Sequence, residues 1–290
     1  MTLVVITRLL LYLGAMVVVG DASLSLGASA RAVKGESARD QLRPIVLCGW
    51  MLLLIATTGL LLLQARDMEL EATMDSLTML LSTTWGRGWS MLIIAGFVGA
   101  SVTLMRLPRV IRTVAAVAVA IALGGLGHAA ADDAFPVLAR VVDVLHVLAA
   151  GAWLGGLTLV AWMQWRCASL RLHQSWLSFS RVATIAAPMV LVSGVLAGWR
   201  RLQLAPFNQG ASTPDSFAVS FAVAMPSDYG LLLGAKLALI FVMLALGYKH
   251  RRRVLKEHAP TWTTVFTELA LAVVVLAVTG VLTGTAPPGE

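Results

Sequence analysis

Long apolar segments alternate with short polar segments along the whole chain. Eight apolar segments have about the 20 residues that a helix needs to cross the hydrocarbon core of a bilayer. They lie roughly at 3–22, 44–64, 86–105, 110–128, 137–163, 182–202, 229–249 and 264–284. The pattern predicts an all-α, polytopic integral membrane protein, a bundle of about eight transmembrane helices. Because no polar segment is long enough to separate two units, we expect a single transmembrane domain over residues 1–290.

The composition and charge of the chain add an orientation to this prediction. Hydrophobic residues make up 58% of the chain, charged residues make up 13%, and the mean hydropathy is +0.83. Most of the 22 Lys and Arg residues follow the first, third, fifth and seventh apolar segments. Since cytoplasmic loops are enriched in basic residues, both termini are predicted to be periplasmic. The net charge of +7 follows from this topology and does not indicate a nucleic-acid partner.

Pairs of glycines four residues apart recur in the last four apolar segments. Small residues one helical turn apart allow helix backbones to approach closely in lipid. We therefore expect the last four helices to form the tightly packed half of the bundle. The pairs are Gly151/Gly155, Gly194/Gly198, Gly230/Gly234 and Gly280/Gly284.

An aspartate and a histidine stand three residues apart in the apolar stretch DVLHVLAAGAWLGGL, at 143–157. A charged residue at mid-membrane costs roughly 2.5–3.5 kcal/mol on insertion scales, so such residues usually face a cavity or a partner. Asp143 and His146 share one helix face, which Trp153 continues inward. His128, at the end of the fourth segment, and Lys236, in the seventh, are expected at a similar depth. The sequence thus predicts a cluster of polar groups near the outer leaflet.

An imidazole beside a carboxylate suits a transition metal. The imidazole is a metal ligand, and the carboxylate either binds the metal as well or orients the imidazole. His128 and His146 are the candidate ligands, and Asp143 is either a third ligand or the group that fixes the His146 tautomer. Two other interpretations stay open: Asp143 and His146 bond only to each other, and His128 caps a helix end. Lys236 is expected to balance the charge of Asp143, because an ammonium group has no lone pair to donate.

Glu268 lies in the eighth apolar segment, near its expected cytoplasmic end. It either pairs with the basic loop that precedes it or serves as a ligand on the exit side.

Four methionines lie in or beside the expected outer loops and could collect copper, because thioethers are soft ligands that prefer Cu(I). Methionine is also a common filler of apolar gaps, which is the alternative interpretation. These residues are Met68, Met74, Met79 and Met225.

Six stretches of the chain together form a recognisable set: TTWGRGW at 83–89, GHA at 127–129, DVLHVLAAGAWLGGL at 143–157, PMVLVSGVLAG at 188–198, YGLLLGAKLAL at 229–239 and the segment TELALAVVVLAVTGVLTGTAPP from 267. With these stretches the chain resembles the CopD/PcoD family of copper resistance membrane proteins. The resemblance covers a core of approximately residues 80–290, which holds the third to eighth helices, whereas residues 1–79, with the first two helices, match by placement only.

The resemblance implies a protein of the bacterial inner membrane that imports copper ions from periplasm to cytoplasm and is not an enzyme. It also implies a separate periplasmic partner, a copper chaperone of the CopC type. The polar residues that match the family are His128, Asp143, His146, Tyr229, Lys236 and Glu268.

Two further functions stay open at this point. His128 and His146 could be the axial ligands of a b-type haem in an electron-transfer protein. The remaining histidines, His173, His250 and His258, are expected in cytoplasmic loops, so a second haem would lack ligands. The protein could also bind copper as a sensor or scaffold without moving it.

Overall fold

A computed structural model describes residues 2–26, 36–67, 73–126, 136–166, 172–203, 221–222, 224–256, 258 and 260–286. The regular elements of these residues are helices, so the predicted all-α fold is confirmed. In chain order they are α1 (Thr2–Leu26), α2 (Glu36–Asp67), α3 (Met74–Ser82), α4 (Thr84–Leu104), α5 (Arg109–Leu126), α6 (Pro136–Ala150), a π-helical turn (Gly151–Gly155), α7 (Gly156–Arg166), α8 (Leu172–Gln203), α9 (Asp228–Leu255) and α10 (Trp262–Leu282).

Within the described ranges, eight helical segments are long and apolar enough to cross a membrane, as predicted. α6, the π-helical turn and α7 form one continuous segment of this kind, from Val137 to Arg166. Successive segments cross in opposite directions, so α1 begins and α10 ends on the same face. We call this face the terminal face, and the opposite face, where α1 ends and α10 begins, the basic face.

Several helices extend beyond the predicted apolar segments. α2 begins at Glu36, α8 begins at Leu172 and α9 continues to Leu255. Their outer turns carry Arg, Lys and Gln, whose long side chains can reach water from a helix end. Hydropathy detects the apolar centre of a helix and therefore misses such polar turns.

The short helix α3 corrects a second expectation, because its residues lie between the predicted segments 44–64 and 86–105 and were expected in an outer loop. The hydroxyl of Thr73 accepts a hydrogen bond from the backbone N–H of Ser76, at 3.2 Å, which is the contact of a helix N-cap. A threonine placed three residues before an N–H that needs a partner therefore starts a helix in this polar segment.

α1 lies at the centre of the bundle. It contacts α2, α5, α6, the π-helical turn, α7 and α10. A Cβ atom built on Gly155 would lie 1.8 Å from the carbonyl oxygen of Met16, and one built on Gly20 would lie 2.4 Å from the carbonyl carbon of Gly155. Backbone therefore meets backbone where α1 crosses the π-helical turn.

These contacts change the role expected for the paired glycines. Gly151 and Gly155 face α1, where Val19 and Met16 lie against them, and Gly280 also lies next to α1, beside Val5. The expectation that the last four helices form the tight half of the bundle is wrong, because the closest approach is between α1 and the π-helical turn. Glycine pairs indicate a close contact but not its partner.

A buried ion pair joins α1 to α5 towards the basic face. Nε of Arg112 lies 2.8 Å from Oδ2 of Asp21, and the two side chains are only 15% and 6% exposed. A second guanidinium nitrogen of Arg112 donates to Oδ1 of Asp21 at 3.4 Å. The fork geometry of the arginine thus serves both carboxylate oxygens, which offsets part of their desolvation.

Candidate functional site

Two adjoining cavities open among the helices in the half of the bundle nearer the terminal face. Their volumes are about 400 Å³ and 240 Å³. Because they have lining residues in common, we call them together the outer cavity. The shared residues are Asp143, His146, Lys236, Thr279 and Thr283.

Four of the polar residues selected from the sequence line the outer cavity: Tyr229 lines its smaller part, and three others line both parts. Asp143 and His146 lie one turn apart on α6, and Lys236 reaches the same cavity from α9. Asp143 lies seven residues after Pro136, which is about 10 Å along the helix at 1.5 Å per residue. All three side chains are partly buried. A carboxylate, an imidazole and an amine therefore face one space inside an apolar bundle.

The hydrogen bond of His146 fixes which ring nitrogen is available. Nδ1 lies 3.0 Å from the hydroxyl oxygen of Ser193 on α8. The carbonyl of Met189 also lies within hydrogen-bond distance of that hydroxyl; with the hydroxyl proton on this carbonyl, the oxygen accepts from the imidazole. The proton of a neutral His146 then sits on Nδ1, and Nε2 carries the lone pair that could bind a metal ion.

The interpretation in which Asp143 and His146 bond only to each other is wrong, because the imidazole bonds to Ser193 instead. α8 passes close enough to do this at Gly194, where a Cβ atom would lie 3.2 Å from Cε1 of His146. Glycine at this position leaves room for the imidazole. Ser193, and not the carboxylate of Asp143, therefore orients the imidazole ring.

Lys236 and Asp143 share the outer cavity without direct contact. Among the described side chains, no ion pair within 4.0 Å joins the two. Lys236 can still offset the negative charge of Asp143 across the cavity, since the low-dielectric surroundings weaken screening.

Arginines line the outer cavity beside Tyr229. The guanidinium of Arg201 lies 5.6 Å from the centre of the Tyr229 ring, a stacking arrangement that favours the cation. Arg200 lines the smaller cavity and Arg8 the larger one, and Arg8 donates a hydrogen bond to the carbonyl of Gly280 at 3.2 Å. The polar lining therefore carries more basic than acidic groups.

Sequence reasoning missed these arginines and also Ser193. Arg200 and Arg201 lie in the last turn of α8, on the terminal face. In the sequence they entered only the count of basic residues that orients the chain. Ser193 gave no signal in the sequence, because a serine in an apolar helix commonly bonds to its own backbone. Its contact with His146 depends on the rotation of α8 about its axis, which the sequence does not specify.

The structure does not show any of the remaining candidate ligands at this cavity. His128 and Met68 lie outside the described residues, and so does the side chain of Met74, whose backbone belongs to α3. Met79 is 67% exposed and Met225 is 36% exposed, and neither lines the cavities. Within the described ranges no three His, Cys, Asp or Glu side chains group closely enough to hold a metal ion.

A third cavity of about 410 Å³ lies towards the basic face, and we call it the inner cavity. Trp153 of the π-helical turn lines both the outer and the inner cavity and is only 4% exposed. Its indole group therefore lies at the boundary between the two spaces. A π-helical turn widens one turn of a helix and is frequent at functional sites.

Two buried polar residues of the inner cavity, His250 and Glu268, contact each other. His250 was expected in a cytoplasmic loop, but it lies within α9 and is 6% exposed. Glu268 on α10 was expected to pair with the basic loop before it or to serve as a ligand on the exit side. It meets His250 of the basic stretch YKHRRR, with Nδ1 of the imidazole 2.7 Å from Oε2 of the carboxylate. The error in placing His250 has one cause: α9 continues as a helix through this polar stretch. His173, in the first turn of α8, was also wrongly assigned to a loop.

Family models match two stretches of the chain. Residues 1–138 match the model described as copper resistance protein D-like, N-terminal domain, and residues 173–282 match copper resistance protein D. The chain is also similar to the inner membrane protein YebZ of Escherichia coli (strain K12), with 28% identity over 220 residues, 70% of this chain and 69% of YebZ. No solved structure matches the chain. The segment 139–172, with Asp143, His146 and Trp153, lies between the two matched stretches.

Proposed function

Because this chain belongs to the copper resistance protein D family, we propose that it carries copper ions across the bacterial inner membrane, from periplasm to cytoplasm. The ion is taken up in the outer cavity by Nε2 of His146, with Asp143 as an oxygen ligand or as a compensating charge. The observation that carries this proposal is the placement of an aspartate, a histidine and a lysine around one cavity inside an apolar bundle. Polar groups that are expensive to bury in a membrane usually mark a path for a substrate.

The proposed direction follows from the distribution of charge. In this topology the terminal face is periplasmic and the basic face is cytoplasmic, because basic loops stay on the cytoplasmic side. Asp143 and His146 then receive copper from the periplasm. The ion passes Trp153 and leaves through the inner cavity.

Delivery by a separate periplasmic copper chaperone of the CopC type fits the charges of the outer cavity. Arg8, Arg200 and Arg201 disfavour the entry of a free hydrated cation, because like charges repel strongly at low dielectric. Direct transfer of copper from a protein-bound ligand to His146 avoids a free cation beside these arginines. The exposed Met79 and Met225 lie towards the same face, where such a partner would dock.

Copper uptake into proteoliposomes tests the proposal. Purified protein is reconstituted, Cu(I) is supplied outside under reducing conditions, and internal copper is measured over time for wild type, His146→Ala and His258→Ala. His258 is an exposed histidine at the opposite face and serves as the matched control. We expect wild type and His258→Ala to accumulate copper, and His146→Ala to fall to the level of empty vesicles. Equal uptake by wild type and His146→Ala would contradict the role of the outer cavity.

The same preparations separate the alternative functions. Copper bound by wild type without accumulation would indicate a sensor or scaffold. A Soret absorption band that disappears in His146→Ala would indicate haem binding and electron transfer instead. Accumulation that fails in right-side-out vesicles but occurs in inverted ones would reverse the proposed direction.

A further inference from the structure

The buried pair of His250 and Glu268 lies in the half of the protein that the outer cavity does not reach. His250 follows Lys236 by fourteen residues on α9, so the two lie roughly 21 Å apart along the helix at 1.5 Å per residue. Glu268 stands six residues after the start of α10, about 9 Å from the basic face by the same rise. The pair therefore occupies the far end of the path from the outer cavity.

Two atoms of this pair lack regular hydrogen bonds. Nδ1 of His250 lies 2.7 Å from Oε2 of Glu268, within ion-pair distance. Neither that Oε2 nor Nε2 of His250 makes a hydrogen bond of regular geometry with any residue in the described part of the chain. Glu268 is 1% exposed and His250 is 6% exposed, so bulk water does not compensate. A buried polar atom without a partner is unfavourable and is often retained for function.

We propose that Nε2 of His250 is a second copper-binding atom, on the basic side of Trp153, and that Glu268 is its positioning residue. The negative charge of the carboxylate, 2.7 Å from Nδ1, favours the imidazole proton on that nitrogen and leaves the lone pair on Nε2. Most histidines that bind metals are oriented in this way, by a carboxylate or carbonyl at the other ring nitrogen. This inference rests on the proposed function, since it takes copper as the transported ion.

The surroundings of the pair suit an ion that binds and then leaves. Both residues line the inner cavity, which begins at Trp153. Arg251 lines the same cavity, and its guanidinium donates a hydrogen bond to the hydroxyl of Thr184. A positive charge beside a single imidazole ligand weakens the binding of a cation, which favours release over storage.

Metal titration of the purified full-length protein tests the inference. Cu(I) is titrated anaerobically against a chromophoric chelator for wild type, His146→Ala, His250→Ala and the control His258→Ala. We expect His146→Ala and His250→Ala each to lose about one bound copper per chain, because each removes one imidazole ligand, while His258→Ala keeps both. Glu268→Gln should weaken the inner site by roughly 10- to 100-fold, the usual effect of losing an orienting partner.

A second variant at His250 separates loss of a copper ligand from loss of the fold, because it replaces the imidazole by another copper ligand. His250→Cys replaces the imidazole by a thiolate, which also binds Cu(I). We expect this variant to keep its copper and to show a copper–sulfur contribution in X-ray absorption that is lacking in His258→Cys. A purely structural role for His250 would not produce this difference.

The outcomes distinguish the two proposals. Loss of copper in His146→Ala together with full binding in His250→Ala, and no sulfur contribution in His250→Cys, would overturn the inner site and leave the transport proposal standing. Loss in His250→Ala with full binding in His146→Ala would support the inner site and refute uptake at His146. Wild-type protein that binds no copper would overturn both.

Discussion

Replacement of Gly155 by alanine tests how tightly α1 holds the π-helical turn. A Cβ atom on this residue would lie 1.8 Å from the carbonyl oxygen of Met16, whereas real Cβ atoms keep at least 3.0 Å from such neighbours. The two backbones would therefore have to separate by about 1.2 Å, the difference between these distances. No side chain can rotate to relieve this contact, because both partners belong to the main chain.

We expect the substitution to destabilise the protein by about 3 kcal/mol, the upper part of the range for overpacked interiors. For a chain of this size that corresponds to a melting temperature lowered by roughly 6 °C. Thermal unfolding in detergent, followed by tryptophan fluorescence, measures this change. Copper uptake should fall as well, because Trp153 belongs to the displaced turn.

Gly125→Ala is the matched control. Gly125 also lies in a membrane-spanning helix, α5, but a Cβ atom there meets no atom of the described residues within 4 Å. Alanine should be neutral there or stabilise the helix by up to about 1 kcal/mol, since it restricts the unfolded chain. If Gly155→Ala and Gly125→Ala melt at the same temperature, α1 does not pack against the π-helical turn in the way described.

Two further substitutions test the polar contacts. Ser193→Ala should weaken copper binding by roughly 10- to 100-fold, because it removes the acceptor that orients His146; unchanged affinity in a chelator competition would show that the serine does not set the tautomer. Asp21→Asn should lower stability by about 3 kcal/mol, because it leaves the charge of Arg112 buried without its counter-charge. Its control is Asp40→Asn, whose ion pair is exposed, and equal melting of the two variants would refute a stabilising role for the buried pair.

The membrane-spanning helices could be predicted because the bilayer imposes both their length and their composition. Their ends could not, since helices such as α9 continue through charged turns that hydropathy assigns to loops. The missed helix end also changed which polar contacts were predicted. His250 was placed in a loop, so its contact with Glu268 was not foreseen.

Part of the candidate site was predictable from the sequence. The position of Asp143 and His146 inside an apolar segment indicated that they face a cavity, and the described cavity contains both. The partner of His146 was not predictable, because a serine hydroxyl leaves no mark in a hydropathy pattern and its reach depends on how α8 is rotated. The glycine pairs likewise indicated close packing without revealing that α1 is the neighbour.

The central place of α1 has a consequence for the biosynthesis of the protein. α1 is synthesised well before α10, yet part of its surface contacts that helix. Until α10 has entered the membrane, that surface contacts lipid or the insertion machinery. The same holds for Arg8, which bonds to Gly280 of α10. Asp21 likewise has no ion pair with Arg112 until α5 has been synthesised and inserted. Chains truncated before α10 should therefore insert α1 but leave it accessible to proteolysis and quality control.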